Sequence, residues 1–159
     1  VPVNKPRFGN VLLRGTLVRD LASPFDPAYG LTGGEDGDLL GRLVQHGARL
    51  VWCDEAVVYE PVEAARLSLR WLLLRALRGG QDHARHWLNG RFGPPGPNGR
   101  LRFFLRALAQ AALAAALALL SWPFGRHRAV HWLMKCAANL GKVSMFLGWH
   151  YREYDSRAV

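Results

Sequence analysis

The stretch Leu31-Thr32-Gly33-Gly34-Glu35-Asp36-Gly37-Asp38-Leu39 sets three carboxylates within four positions, directly behind a glycine pair. Glycines let a backbone turn tightly and leave room for a ligand against the main chain. Acidic residues at the start of a helix complement its dipole and cap free N–H groups. That role accounts for Asp36 or Asp38 singly. It accounts less well for three together, where mutual repulsion raises the free energy of the charged forms. A carboxylate held beside another acid at a loop–helix junction can instead act as a general base, taking the proton of a hydroxyl as that hydroxyl attacks.

Other side chains offer binding rather than bond-making. Arg66, Arg70, Arg75 and Arg78 fall within one half of a helix at 100° per residue, and Leu69, Leu72, Leu73 and Ala76 occupy the other half. Such a helix can lie on an anionic membrane surface, or can present a solvated arginine face over a leucine core. His83 and His86 carry no assignment. Cys53 and Cys136 are too few for a disulfide scaffold and form neither a CxxC pair nor a Cys/His cluster.

The elements expected to position the acidic cluster alternate in type. Phe8–Arg14 reads as a short strand, Thr16–Ala22 as a helical turn or two, and 23–30 as loop. Asp36–His46 carries Leu39, Leu40, Leu43 and Val44 at helical spacing and closes at Gly47. Arg49–Cys53 and Ala56–Tyr59 are rich in β-formers and read as strands. The expected class is α/β.

At 159 residues, 50% of them hydrophobic and 21% charged, the chain suits one domain plus an appendage and is not disordered. Its net charge of +9 is unevenly spread. Residues 1–60 hold six basic and eight acidic side chains, 61–100 seven and two, and 101–159 eight and two. The basic remainder contains Ala107–Gly125, 19 residues without an ionisable group. That length spans about 30 Å as a helix, enough for a bilayer core. Arg100, Arg102 and Arg106 flank one end; Trp122, Arg126 and Arg128 flank the other. An alanine-rich helix buried in a soluble bundle is the alternative. A second apolar segment, Ala129–Trp149, places His131, Lys135, Asn139 and Lys142 on one face. Its Ala137, Gly141, Ser144 and Gly148 would admit another helix closely. It reads as the returning arm of a hairpin or as an interfacial helix. The glycine- and proline-rich stretch between the halves forbids a regular element. Expected divisions are therefore 1–89, a linker at 90–100, and 101–159.

Four ordered blocks carry a resemblance. Gly33–Leu39 follows Phe25-Asp26-Pro27; Gly9–Arg14 lies upstream; Gly47–Glu60 and Arg66–Trp71 lie downstream. Together they resemble the acceptor side of inverting family 2 glycosyltransferases, with likeness to bacterial exopolysaccharide enzymes of the succinoglycan type. The resemblance implies a partial GT-A, Rossmann-like domain followed by membrane-associated helices. It implies Asp36 as the catalytic base and Glu35 as a residue orienting acceptor or base. Arg70 and Trp71 match the end of a motif placed near diphosphate and acceptor; Arg66 stands one position early and does not carry over. Glu60 occupies a position often held by a histidine near the metal, so a Mg²⁺ or Mn²⁺ role for it is a departure from the pattern. The family's Asp-x-Asp motif and donor-binding half are expected before Phe8, making the chain the C-terminal portion of a longer enzyme. The implied partners are a nucleotide-sugar donor, a lipid-linked or polysaccharide acceptor, and membrane lipid.

The implied location is the bacterial inner membrane with the catalytic part in the cytoplasm, in line with four arginines before the first apolar run and two after it. A non-catalytic, basic membrane-binding or scaffold protein is the competing reading. Nucleic-acid binding is not supported, because the arginines sit beside leucine runs and no recognition motif is present.

Overall fold

The computed structural model describes residues 8–90 and 96–151. Among them every regular element is helical: α1 (Glu35–Gln45), α2 (Leu69–Leu88), α3 (Gly99–Ser121) and α4 (Arg126–Phe146), with short 3₁₀ turns between. The expected α/β class, and with it a Rossmann-like GT-A sheet, is overturned. Phe8–Asn10 is a 3₁₀ turn, and 49–53 and 56–59 are irregular. A strand satisfies its backbone groups only through a neighbouring strand, and no ladder forms among the described residues. The β-formers there face outward instead, with Val51 83% and Tyr59 96% exposed. Between the segments expected as strands, the Asn10 amide donates to the Ala56 carbonyl.

The chain forms two compact units, divided after Pro61. In the first, described over 8–61, Tyr29, Leu39, Leu40 and Leu43 are buried. The helical spacing of the leucines builds this small core as expected. Helix α1 ends in a Schellman motif: Gly47, at φ +90, donates to the Val44 carbonyl and Ala48 donates to that of Leu43.

The second unit, Val62–Tyr151, is a three-helix assembly in which α4 packs against both α2 and α3. Helices α3 and α4 are joined by the turn Trp122–Phe124, and Phe103 and Phe104 at the start of α3 meet Phe146 at the end of α4. The pair is therefore antiparallel. Ala107, Ala111, Ala114 and Ala118 form the buried stripe of α3. Small side chains there let the helix axes approach. On the side of α2 the approach is closer. A Cβ at Gly80 would collide with the Ala138 carbonyl, and one at Gly141 with the Leu77 carbonyl. The expected close approach at Gly141 and Ser144 is thus realised, with Gln81 Nε2 donating to Ser144 Oγ at 2.8 Å.

The opposite face of α3 is open: Leu113, Leu119 and Leu120 are 61%, 77% and 67% exposed. The segment Gly99–Phe124 is long and apolar enough to cross a membrane: an 18-residue stretch of it has mean hydropathy 1.9, and 22% of that stretch is buried in the structure. Helix α4 does not meet the same test. Of the expected linker, 91–95 lie outside the described residues, as do 1–7 and 152–159 at the ends of the flanking divisions.

Candidate functional site

Loop 23–34 feeds the acidic cluster into α1. Asp26 caps a 3₁₀ turn by accepting from the Ala28 N–H at 2.9 Å, which seats Tyr29 in the core. Gly33 and Gly34 both hold positive φ, +71 and +97, so the chain reverses just before the first acid. A side chain at either position would be strained.

The three carboxylates then take different surroundings. Asp38 is buried; its Oδ2 accepts from Arg42 Nε at 2.7 Å and its Oδ1 from the Tyr29 hydroxyl at 3.3 Å. Arg42 also donates to the Pro24 carbonyl, so the pair ties the loop to the helix. Asp38 is committed to the fold. Asp36 accepts only from the adjacent Gly37 N–H, at 2.7 Å, and remains half-buried. Glu35 has one carboxylate oxygen shielded from solvent that accepts no hydrogen bond. A buried acceptor without a donor is unfavourable by about 1–3 kcal/mol.

The remaining expected residues are placed separately. Glu60 is exposed in the irregular stretch before Pro61. Arg70 and Trp71 belong to the second unit, in the first turn of α2. The Ser68 hydroxyl caps that turn by accepting from the Trp71 N–H at 3.2 Å, and the Arg75 guanidinium lies 5.9 Å from the Trp71 ring centroid. Arg66, Arg70 and Arg75 are exposed, but Arg78 is buried within the unit. The continuous four-arginine helical face is therefore not realised: Arg66 lies in the 3₁₀ turn Ala64–Leu67 before α2, and Arg78 is buried.

A second constellation lies where all three helices of this unit converge. A cleft of about 290 Å³ is lined by His83 and Trp87 from α2, Phe103, Arg106 and Gln110 from α3, and Lys142 from α4. Trp87 stacks on Phe103 at 4.5 Å, and His83 on the same ring at 6.0 Å. Lys142 Nζ donates to Asn139 Oδ1 at 2.9 Å. Desolvation, reinforced by the Lys142 ammonium, holds His83 below the ordinary histidine pKa, so its ring is neutral near pH 7. Sequence reading marked Arg106 and Lys142 only as a flanking charge and as part of a polar face, and gave His83 no role. Arg106 as the last charge before the apolar run, and Lys142 interrupting the next one, are the signals that could have drawn attention here.

With both sites described, comparison with known proteins adds one relation. The chain is similar to a succinoglycan biosynthesis protein. That protein, ExoM of Rhizobium meliloti (strain 1021), is 31% identical over 153 residues covering 94% of this chain. The chain spans about half (47%) of its length. No protein-family model matches the chain. No solved structure matches it. The similarity to ExoM covers so much of the chain that it runs through the acidic loop and the three-helix unit alike.

The divalent ion that the resemblance implies finds no site among the described residues. No three His, Cys, Asp or Glu side chains come together there. Asp38 is held by Arg42 and Tyr29, and Glu60 joins no such group. These residues do not fit the ion.

Proposed function

We propose that this chain is part of a membrane-associated, inverting family 2 glycosyltransferase of bacterial cell-surface polysaccharide synthesis. The observation that carries the reading is the 31% identity to a succinoglycan biosynthesis protein over nearly the whole chain. The ordered blocks around the acidic loop and the apolar helix α3 support it. In this reading the complete enzyme moves a sugar from a nucleotide-diphosphate donor to a lipid-linked or polysaccharide acceptor. Asp36, whose carboxylate is held only by the neighbouring Gly37 N–H among the described residues, takes the acceptor hydroxyl proton as that oxygen forms its bond to the anomeric carbon. The bond from that carbon to the nucleoside diphosphate breaks, and the diphosphate leaves with the electron pair. Glu35, beside Asp36 in the first turn of α1, orients the acceptor or the base. Arg70 and Trp71 contact diphosphate or acceptor. In this reading the arginine excess before α3 favours the cytoplasmic side of the inner membrane for the catalytic part.

The test is Asp36→Asn in the complete protein as the cell makes it, assayed by transfer of labelled sugar to membrane acceptor. Loss of transfer by about 10²-fold or more is expected for removal of a general base. Undiminished transfer refutes the assignment. The exposed Arg66, Arg70 and Arg75 favour a second reading, a non-catalytic membrane-binding scaffold. That reading predicts membrane binding unaffected by Asp36→Asn and no transfer in either protein.

A further inference from the structure

We propose that the cleft between α2, α3 and α4 is a binding site for a phosphate monoester or diphosphate group. Arg106 and Lys142 reach it from different helices, and no acidic side chain is among its lining residues. Like charges brought to one partly desolvated cleft repel, and a doubly charged anion between them reverses that term. Both cations have capacity to spare. Arg106 makes no hydrogen bond or ion pair among the described residues, and Lys142 spends one of its three N–H donors, on Asn139. The Gln110 amide adds a neutral donor beside them.

The rest of the lining is not what a bare ion needs. Trp87 and Phe103 stack into an apolar wall on the same cleft. Water takes about 30 Å³ per molecule, so about 290 Å³ holds a phosphate with part of whatever it is esterified to. Aromatic surface beside paired cations suits an organic phosphate. The position is also specific. Arg106 is the last charged residue before the uncharged run of α3, whose leucines face outward. The cleft therefore sits where the polar end of α3 gives way to its apolar length. That is the level at which a lipid presents its phosphate, and a soluble phosphate ester offers the same group from the water side. The inference stands on the cleft and needs neither the transferase reading nor Asp36.

The experiment compares the two sources in the full chain. In one arm, inorganic pyrophosphate is titrated into the protein in an uncharged maltoside detergent and followed by ³¹P NMR. In the other, binding to phosphatidylcholine nanodiscs is measured with and without phosphatidic acid. The paired variant Arg106→Gln/Lys142→Gln is expected to weaken binding by about tenfold or more, the loss of one to two charge-assisted contacts. Arg126→Gln/Arg128→Gln, at exposed positions with the same change in net charge, is expected to leave it unaltered. Site-dependent binding of pyrophosphate assigns the site to free phosphate compounds. Site-dependent binding of phosphatidic acid alone assigns it to a lipid headgroup. No binding in either arm, or equal loss in both paired variants, overturns the proposal. Should circular dichroism show the first variant unfolded, Arg106→Gln alone, at an exposed position, carries the comparison.

Discussion

Two neighbouring glycines in α2 should respond to the same substitution with opposite signs. A Cβ on Gly80 lies 2.7 Å from the carbonyl carbon of Ala138 and closer still to its oxygen. Carbon atoms pack at about 3.5–4.0 Å, so Gly80→Ala forces the helices apart by close to an ångström against backbone that cannot rotate away. Overpacking of this kind is destabilising by about 1–3 kcal/mol. Separation also stretches the 2.8 Å bond from Gln81 to Ser144, worth about 1 kcal/mol. Against this, alanine gains about 0.8–1 kcal/mol over glycine in a helix interior. The net expectation is a loss of roughly 1–3 kcal/mol. At Gly79 nothing lies within 4 Å of the added carbon. There the helical preference acts alone, and Gly79→Ala should stabilise by about 0.5–1 kcal/mol. Denaturant unfolding of the full chain in mild detergent, followed by helical circular dichroism, reads both. Equal effects of the two substitutions would refute the contact-based reasoning, as would a neutral Gly80→Ala.

Three further outcomes are expected. Asp38→Asn should destabilise the first unit by about 2 kcal/mol, since it weakens the Arg42 and Tyr29 contacts, whereas Asp36→Asn should leave thermal unfolding within about 0.5 kcal/mol of the parent. His83 titrates beside Arg106 of α3 and Lys142 of α4, with a folded pKa below its unfolded one. The unfolded chain therefore binds the proton more readily, and stability should fall as pH drops through the range just below the ordinary histidine value, a slope that His83→Gln reduces in unfolding measured at about pH 5 and about pH 7.5. Isolated with membranes, the protein should be released by detergent and not by high salt or carbonate; release by carbonate would mean that α3 does not span.

Helices were legible because their determinants are local. The leucines of α1, the glycine that closes it, the small residues of α4 and the uncharged length of α3 each state a periodicity or a cap within a few residues. The strands were misread for the converse reason. β-formers at 49–53 and 56–59 report a preference for a pleated, half-buried surface that only another strand can supply. Sequence also could not divide the labour among Glu35, Asp36 and Asp38. That division depends on Tyr29 and Arg42 reaching Asp38 and no donor reaching Glu35, a three-dimensional fact. Arg78 looked like its neighbours in the arginine series, yet it is buried in the folded unit. The cleft was least visible, because its residues come from three helices and none is unusual alone.

The side chain of Gln81 binds Ser144, the carbonyl of Trp149 and the N–H of Tyr151. Every one of those partners is made more than sixty residues later. At synthesis rates of about 5–20 residues per second, α2 exists for roughly 3–14 s before its clasp can close. Through that interval the glycine-notched face of α2 has no α4 to pack on. The nascent protein thus carries α2 as a waiting half-interface, and the last turn of α4 decides when it is sheltered.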